Sequence, residues 1–211
     1  MPERHFVKYT FLRVDPAWRR LDVDQRAQDK REFLAACEDF AADGQHLLRA
    51  FSLIGTRGDA DLMVLTQAVS LDSIHEFHVV LGQSGLAKWS TQPYSFLGLR
   101  KPSEYSEDRR DVPRGFNGKY LFVYPFVKTR AWYALPAAER GRVMKDHIAI
   151  GKQYPTVDNH TIYCFGLDDQ EFVVAFDTDD ASAFLDLVQR LRGTERCSSE
   201  YSDVLRMPRN E

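Results

Sequence analysis

His147 is the residue of this sequence whose setting most suits a metal-bearing group. With Val143, Ile150, Gly151 and Tyr154 it recurs at steps of about 3.6 residues, so these side chains share one face of a helix. A lone histidine on an apolar face is ordinarily a core residue bonded to a neighbour. Here Gly151 stands one turn along the same face, where a missing side chain lets a flat ring approach, and the adjacent sequence suggests no obvious local partner. Three other clusters read more plainly. His75 and His78 sit at i,i+3 but lack the HExxH spacing of a zinc helix, which leaves a surface helix. Asp177, Asp179 and Asp180 lack the spacing and glycine of a calcium loop, so helix capping and solvation are expected of them. Arg109, Arg110 and Arg114 form a basic cluster in a loop, ordinary solvated charge that is also suited to meeting carboxylates. The absence of a glycine-rich phosphate loop, a GxSxG elbow and a Cys/His dyad argues against nucleotide-dependent and hydrolytic chemistry.

The elements that must position these residues are written twice. FVKYTFLRV (6–14) and KYLFVYPFV (119–127) are aromatic and β-branched, and read as strands. After the first come a helix near 24–42, strands LLRAFSLIG and LMVLTQAV around the turn Thr56-Arg57-Gly58-Asp59, a helix over 71–82 and an edge strand near 94–99. After the second come a helix over 136–153, strands HTIYCFGL and FVVAF around Asp168-Asp169, and a helix over 181–192 capped by Asp180 or Thr178. The series β-α-β-β-α, repeated, predicts an α+β fold of two tandem ferredoxin-like repeats whose sheets associate as a dimeric α+β barrel. The charged, Pro- and Gly-containing stretch 102–118 is the natural connection, giving domains 1–103 and 104–211.

Composition sets the bounds. At 211 residues, 44% hydrophobic and 28% charged, the chain is an ordinary globular one, and a net charge of -3 supplies no attraction for nucleic acid. The start, MPERHFVKYTF, is charged where a secretory signal would be apolar, and no run approaches a membrane span, so a cytoplasmic location is expected. Cys37, Cys164 and Cys197 have no CxxC spacing and read as reduced thiols, Cys164 buried in a strand.

The second half resembles the chlorite dismutase superfamily, which includes the coproheme decarboxylases. KYLFVYPFVKTRAWYALPAAERGRVMKDHIAIGKQYP, FGLDDQEFVVAFDTD and LVQRLRGTE carry the resemblance, which spans about residues 104 to 203, while the first half is similar mainly in architecture. It implies heme in the C-terminal repeat. The family's H-x-x-x-G histidine, the proximal iron ligand, falls on His147, and the tyrosine and lysine of its Y-P-[FM]-x-K motif fall on Tyr124 and Lys128. In coproheme decarboxylases that tyrosine is the radical-forming residue and the lysine lies near a propionate. Arg110 and Ser198 match other propionate contacts, Trp132 and Tyr133 resemble the aromatic pair lining the pocket, and Glu195 resembles a glutamate that bonds the proximal histidine. The interval from proximal histidine to distal arginine lands here on His160, which lacks a permanent cation and is expected either to act as a distal acid–base group or simply to face solvent beside Asn159.

The resemblance therefore implies an iron-porphyrin oxidoreductase. Its leading form is a peroxide-dependent coproheme decarboxylase, with iron-coproporphyrin III as both substrate and cofactor and hydrogen peroxide as oxidant. The alternatives are a heme b peroxidase with residual chlorite chemistry, or a heme-binding or delivery protein without catalysis. A homo-oligomer, in the form of a pentamer, is expected.

Overall fold

Aromatic and β-branched residues make His5–Val14 (β1) an extended strand. In this computed structural model residues 4–103, 105 and 116–193 are described, and the chain divides into two compact units, Met1–Arg100 and Lys101–Glu211. The expected sites Arg109, Arg110, Arg114, Glu195, Cys197 and Ser198 lie outside the described residues.

In the first unit β1 is followed by a 3-10 helix, Pro16–Arg20, then α1 (Val23–Ala41), β2 (Leu47–Ser52), β3 (Leu62–Ala68), α2 (Leu71–Gln83), a single turn α3 (Gly85–Lys88) and β4 (Ser90–Arg100). The strands are antiparallel in the order β2-β3-β1-β4. Asp22 opens α1 by accepting the Gln25 N–H at 2.8 Å, and Ser70 opens α2 in the same way through Asp72. Phe33, Ala36, Cys37 and Phe40 on α1 and Ile74, Phe77 and Leu81 on α2 recur at helical spacing and pack on Leu12, Val64 and Ala68 of the sheet.

The second unit repeats the plan with β5 (Tyr120–Phe126), a short α4 (Arg130–Ala134), α5 (Ala137–Gly151), β6 (Val157–Tyr163), β7 (Phe172–Thr178) and α6 (Ala181–Arg192). Its strands run β6-β7-β5, the order of their counterparts in the first unit. Phe126, Phe172, Val174 and Phe176 of the sheet meet Leu187 and Leu191 of α6, and Phe122 stacks on Phe184 with ring centroids 4.0 Å apart. The two hairpins turn alike: Gly55 and Gly166 occupy matching places at φ of 85° and 72°, a conformation that side chains resist. The mixed α+β, ferredoxin-like fold predicted from the sequence is the one observed.

The strand near 94–99 is longer than expected and joins β1 along most of its length. Pro136 stands at the N-cap of α5 rather than inside its first turn. Asp180 caps α6 through the Ser182 and Ala183 N–H groups, as its position implied.

Asp177 is not a solvated residue. It is buried, and its two carboxylate oxygens accept the N–H groups of Asn117 and Gly118, each at 2.8 Å, while Asp179 accepts that of Lys119. These bonds hold the chain as it enters β5. A Cβ at Gly118 would fall against the Asp177 carboxylate and the Thr178 backbone nitrogen, so something must shift. Gly118→Ala is therefore expected to destabilise the protein by about 2–3 kcal/mol, the range for losing hydrogen bonds to a buried charge, read as a lower midpoint in denaturant unfolding.

Cys37 and Cys164 are both buried free thiols. Burial, with Glu38 and Asp168 adding negative charge nearby, pushes them up to about 11 and about 12 respectively. Among the described residues no helix is long and apolar enough to cross a membrane.

Candidate functional site

A strand sends alternate side chains to opposite faces, and in the second unit one sheet face carries Tyr124. Tyr124 lies opposite Val174, which in turn lies opposite Thr161; the adjacent rows are Phe122, Phe176, Asn159 and Phe126, Phe172, Tyr163. These rows make the face that α5 and α6 cover. Tyr124 is half-buried in the cluster that also takes in Ile150 and Tyr154.

α5 has two sets of contacts. Toward its start Val143 and Met144 pack with Trp132, Tyr105 and Leu135, and toward its end Ile150 packs on the sheet. His147 lies between the two sets, one turn after Val143 and one turn before Gly151, and is half-buried. A Cβ built on Gly151 meets nothing within 4 Å, so the space beside that turn is open.

Lys128 follows β5 and is 9% exposed. Its ammonium rests on aromatic faces, 4.1 Å from the Trp132 ring centroid, 5.4 Å from Phe172 and 5.9 Å from Tyr105. Such contacts favour a cation that has given up most of its water. Trp132 is fully buried beneath it, and the hydroxyl of Thr129 accepts its backbone N–H at the start of α4. Tyr133 is half-exposed, and its hydroxyl donates to Glu171 at 2.6 Å; the same carboxylate oxygen accepts the Lys128 backbone N–H at 2.8 Å.

The structure thus brings together Tyr124, Lys128, Trp132 and the α5 face that bears His147, all in the second unit. It separates His160 from them, and the expectation of a distal acid–base role for that residue is corrected. His160 pairs with Ala175 on the opposite sheet face, is 4% exposed, stacks on Phe116 at 4.2 Å and stands 3.9 Å from the Asp177 carboxylate. The polar residues of β6 that share the Tyr124 face are Asn159 and Thr161, whose hydroxyl donates to the Asn159 side-chain amide oxygen at 2.7 Å. Strand alternation along 157–163 was the signal for this. Glu171 was also missed from the sequence, because its contacts cross from one hairpin to another element.

The remaining histidine pair has a structural part. His78 bonds the Ile74 carbonyl and the Thr10 hydroxyl, each at 2.8 Å, and burial lowers its affinity for a proton. No cluster of three or more metal-ligating side chains occurs among the described residues.

Comparison with known proteins bears on the same elements. A coproheme decarboxylase of Mycolicibacterium smegmatis is 29% identical over 150 residues, which are 69% of this chain and 64% of that protein, so the chain spans just under two thirds of the relative's length. A heme-binding protein from Thermus thermophilus superposes with a TM-score of 0.81 at 25% identity, over 95% of this chain and 90% of that one. A mutant chlorite dismutase from Candidatus Nitrospira defluvii gives a TM-score of 0.84 at 23% identity, over 93% and 86% of the two chains, a likeness of fold. The model of the chlorite dismutase family matches residues 24–204, which takes in the second unit's elements and the first unit's from α1 onward, and this chain belongs to that family.

Proposed function

We propose that the protein is a peroxide-dependent coproheme decarboxylase, with the porphyrin held in the second unit. The observation that carries this reading is the grouping of an oxidisable phenol, Tyr124, a buried ammonium, Lys128, and a helix face bearing His147 beside two apolar clusters that α5 and Lys128 both touch. The residues present suit an iron porphyrin. His147 offers an imidazole nitrogen, the open space at Gly151 admits a ring edge, and the aromatic side chains of the sheet face suit a flat apolar body. The relatives' recorded ligands, coproheme by name for one and heme for another, point the same way.

The bound iron supplies the means of activating peroxide. The chain's own residues would bind and orient: His147 would hold the iron, and Lys128 would draw a propionate carboxylate by charge. Tyr124 takes an oxidising equivalent to that propionate by giving up and regaining its phenolic hydrogen. Each propionate would become a vinyl group by releasing carbon dioxide, one proton and two electrons, and one hydrogen peroxide would accept the two electrons, that proton and one more from solvent to become two waters. The β6 side chains on the Tyr124 face, Asn159 and Thr161, are uncharged, so they add no cation to hold an oxychlorine anion. We also infer a cytoplasmic homo-oligomer, with five copies as the leading count.

The test is anaerobic reconstitution with coproheme followed by peroxide titration and mass spectrometry of the porphyrin. Stepwise loss of one and then two carboxyl groups is expected, with no sustained oxygen release from chlorite. A porphyrin that stays intact while bound would sink the decarboxylase reading in favour of a carrier, and rapid oxygen evolution would favour chlorite chemistry.

A further inference from the structure

Glu171 joins two stretches of chain that are far apart in sequence. One oxygen of its carboxylate accepts both the Lys128 N–H, at 2.8 Å, and the Tyr133 O–H, at 2.6 Å. The residue sits at the mouth of the β6–β7 hairpin, where its own carbonyl accepts the Cys164 N–H at 2.8 Å and its neighbour Phe172 supplies one of the rings beneath the Lys128 ammonium. Backbone and side chain of Lys128 are therefore both anchored to the same end of the hairpin.

The first repeat shows what this arrangement is built from. There Asp61 occupies the matching place: its carbonyl accepts the Leu53 N–H at 2.9 Å and its carboxylate accepts the Val14 N–H at 2.9 Å, at the end of β1. Val14 is the counterpart of Lys128, and the second bond of Asp61 comes from Arg19 at 2.8 Å where that of Glu171 comes from Tyr133. Buried Trp18 and Trp132 follow at the same interval in each copy, four residues on. The acid is thus a shared device that fixes the backbone leaving the strand. In the second copy alone the fixed residue carries a cation, and it is the cation, resting on Trp132, Phe172 and Tyr105, that the device holds in place.

We propose that Glu171 is a positioning residue for the Lys128 ammonium, keeping it in its aromatic enclosure so that it meets the carboxylate of a bound porphyrin. The second half of this statement rests on the function proposed above; the first half does not. A bond to Glu171 sets where the Lys128 backbone sits, and an ammonium on a flexible four-carbon stem is placed only as well as its backbone. The arrangement needs an acceptor oxygen at this point rather than a negative charge, since both donors reach one oxygen.

Two readouts separate the halves. In the ligand-free protein, the rate at which an amine-acylating reagent modifies Lys128 is followed by peptide mass spectrometry in the parent, Glu171→Ala, Glu171→Gln and Tyr133→Phe. Glu171→Ala is expected to raise that rate at least tenfold, Tyr133→Phe to raise it less, and Glu171→Gln, whose carbonyl oxygen can accept both bonds, to stay within about threefold of the parent. Tyr133→Phe removes one bond without removing the acid, so it reports even where Glu171→Ala fails to fold. Unchanged Lys128 labelling in both Tyr133→Phe and a folded Glu171→Ala would overturn the proposal. Coproheme titration then tests the link to the ligand: Glu171→Ala and Lys128→Ala are expected to weaken binding by similar factors, with the double variant no worse than the weaker-binding single one. Fully multiplicative losses would mean that Glu171 acts on binding by another route. A parent that binds no coproheme would overturn the functional reading while leaving the labelling result to stand.

Discussion

His147→Ala is expected to lower coproheme affinity at least tenfold, about 1.4 kcal/mol, and to change the ferric absorption spectrum. The substitution removes the imidazole from the half-buried face of α5 but leaves Ile150, Val143 and Met144 packing the helix at both ends, so the fold should remain. On the proposed function binding should weaken rather than vanish, because Lys128 and the aromatic sheet face would still hold the carboxylates and the ring. The comparison to make is a spectrophotometric titration of parent and variant with coproheme. If both give the same ferric spectrum and the same affinity, His147 is not the axial ligand.

Tyr124→Phe is expected to leave coproheme binding nearly intact while heme b production falls by at least a hundredfold. Removing the phenolic oxygen preserves the ring that packs beside Phe176, at 6.1 Å between centroids, and the cluster reaching Ile150 and Tyr154. One lost hydrogen bond to a ligand amounts to about 0.5–1.5 kcal/mol, or up to about 3 kcal/mol when the partner is charged. A fall in turnover well beyond that loss locates the role of the hydroxyl in the reaction rather than in binding. Single-turnover formation of heme b, followed beside equilibrium binding, separates the two. A Tyr124→Phe variant that forms heme b at the parental rate would exclude the radical role.

The repeated strand-helix-strand-strand-helix series was readable because each helix advertises its apolar face and its cap. α6 was expected over 181–192 and is observed over those residues, with Asp180 capping it. The short elements were not readable. The 3-10 helix at Pro16–Arg20 and α4 at Arg130–Ala134 are too brief for a period to emerge, and each is held by its buried tryptophan instead. His160 shows a different limit. Its expected role came from counting residues after His147, and a count fixes sequence distance but not which face of a pleated strand a side chain takes. The alternation of β6 does fix it, and gives the site face to Asn159 and Thr161. The enclosure of Lys128 was beyond the sequence altogether, because Tyr105, Trp132 and Phe172 come together only through tertiary packing.

The two buried thiols take on meaning beside an oxidant. Peroxide attacks the thiolate, not the thiol, and at neutral pH a group raised to about 11 or about 12 is ionised to only about one part in ten thousand or a hundred thousand. Cys37 lies on the buried face of α1 and Cys164 follows the end of β6, both away from solvent. A protein that takes up hydrogen peroxide at one site is exposed to self-inflicted sulfenylation at every other. Under the proposed function, the same burial that fills these two cores would also make Cys37 and Cys164 poor targets for that peroxide.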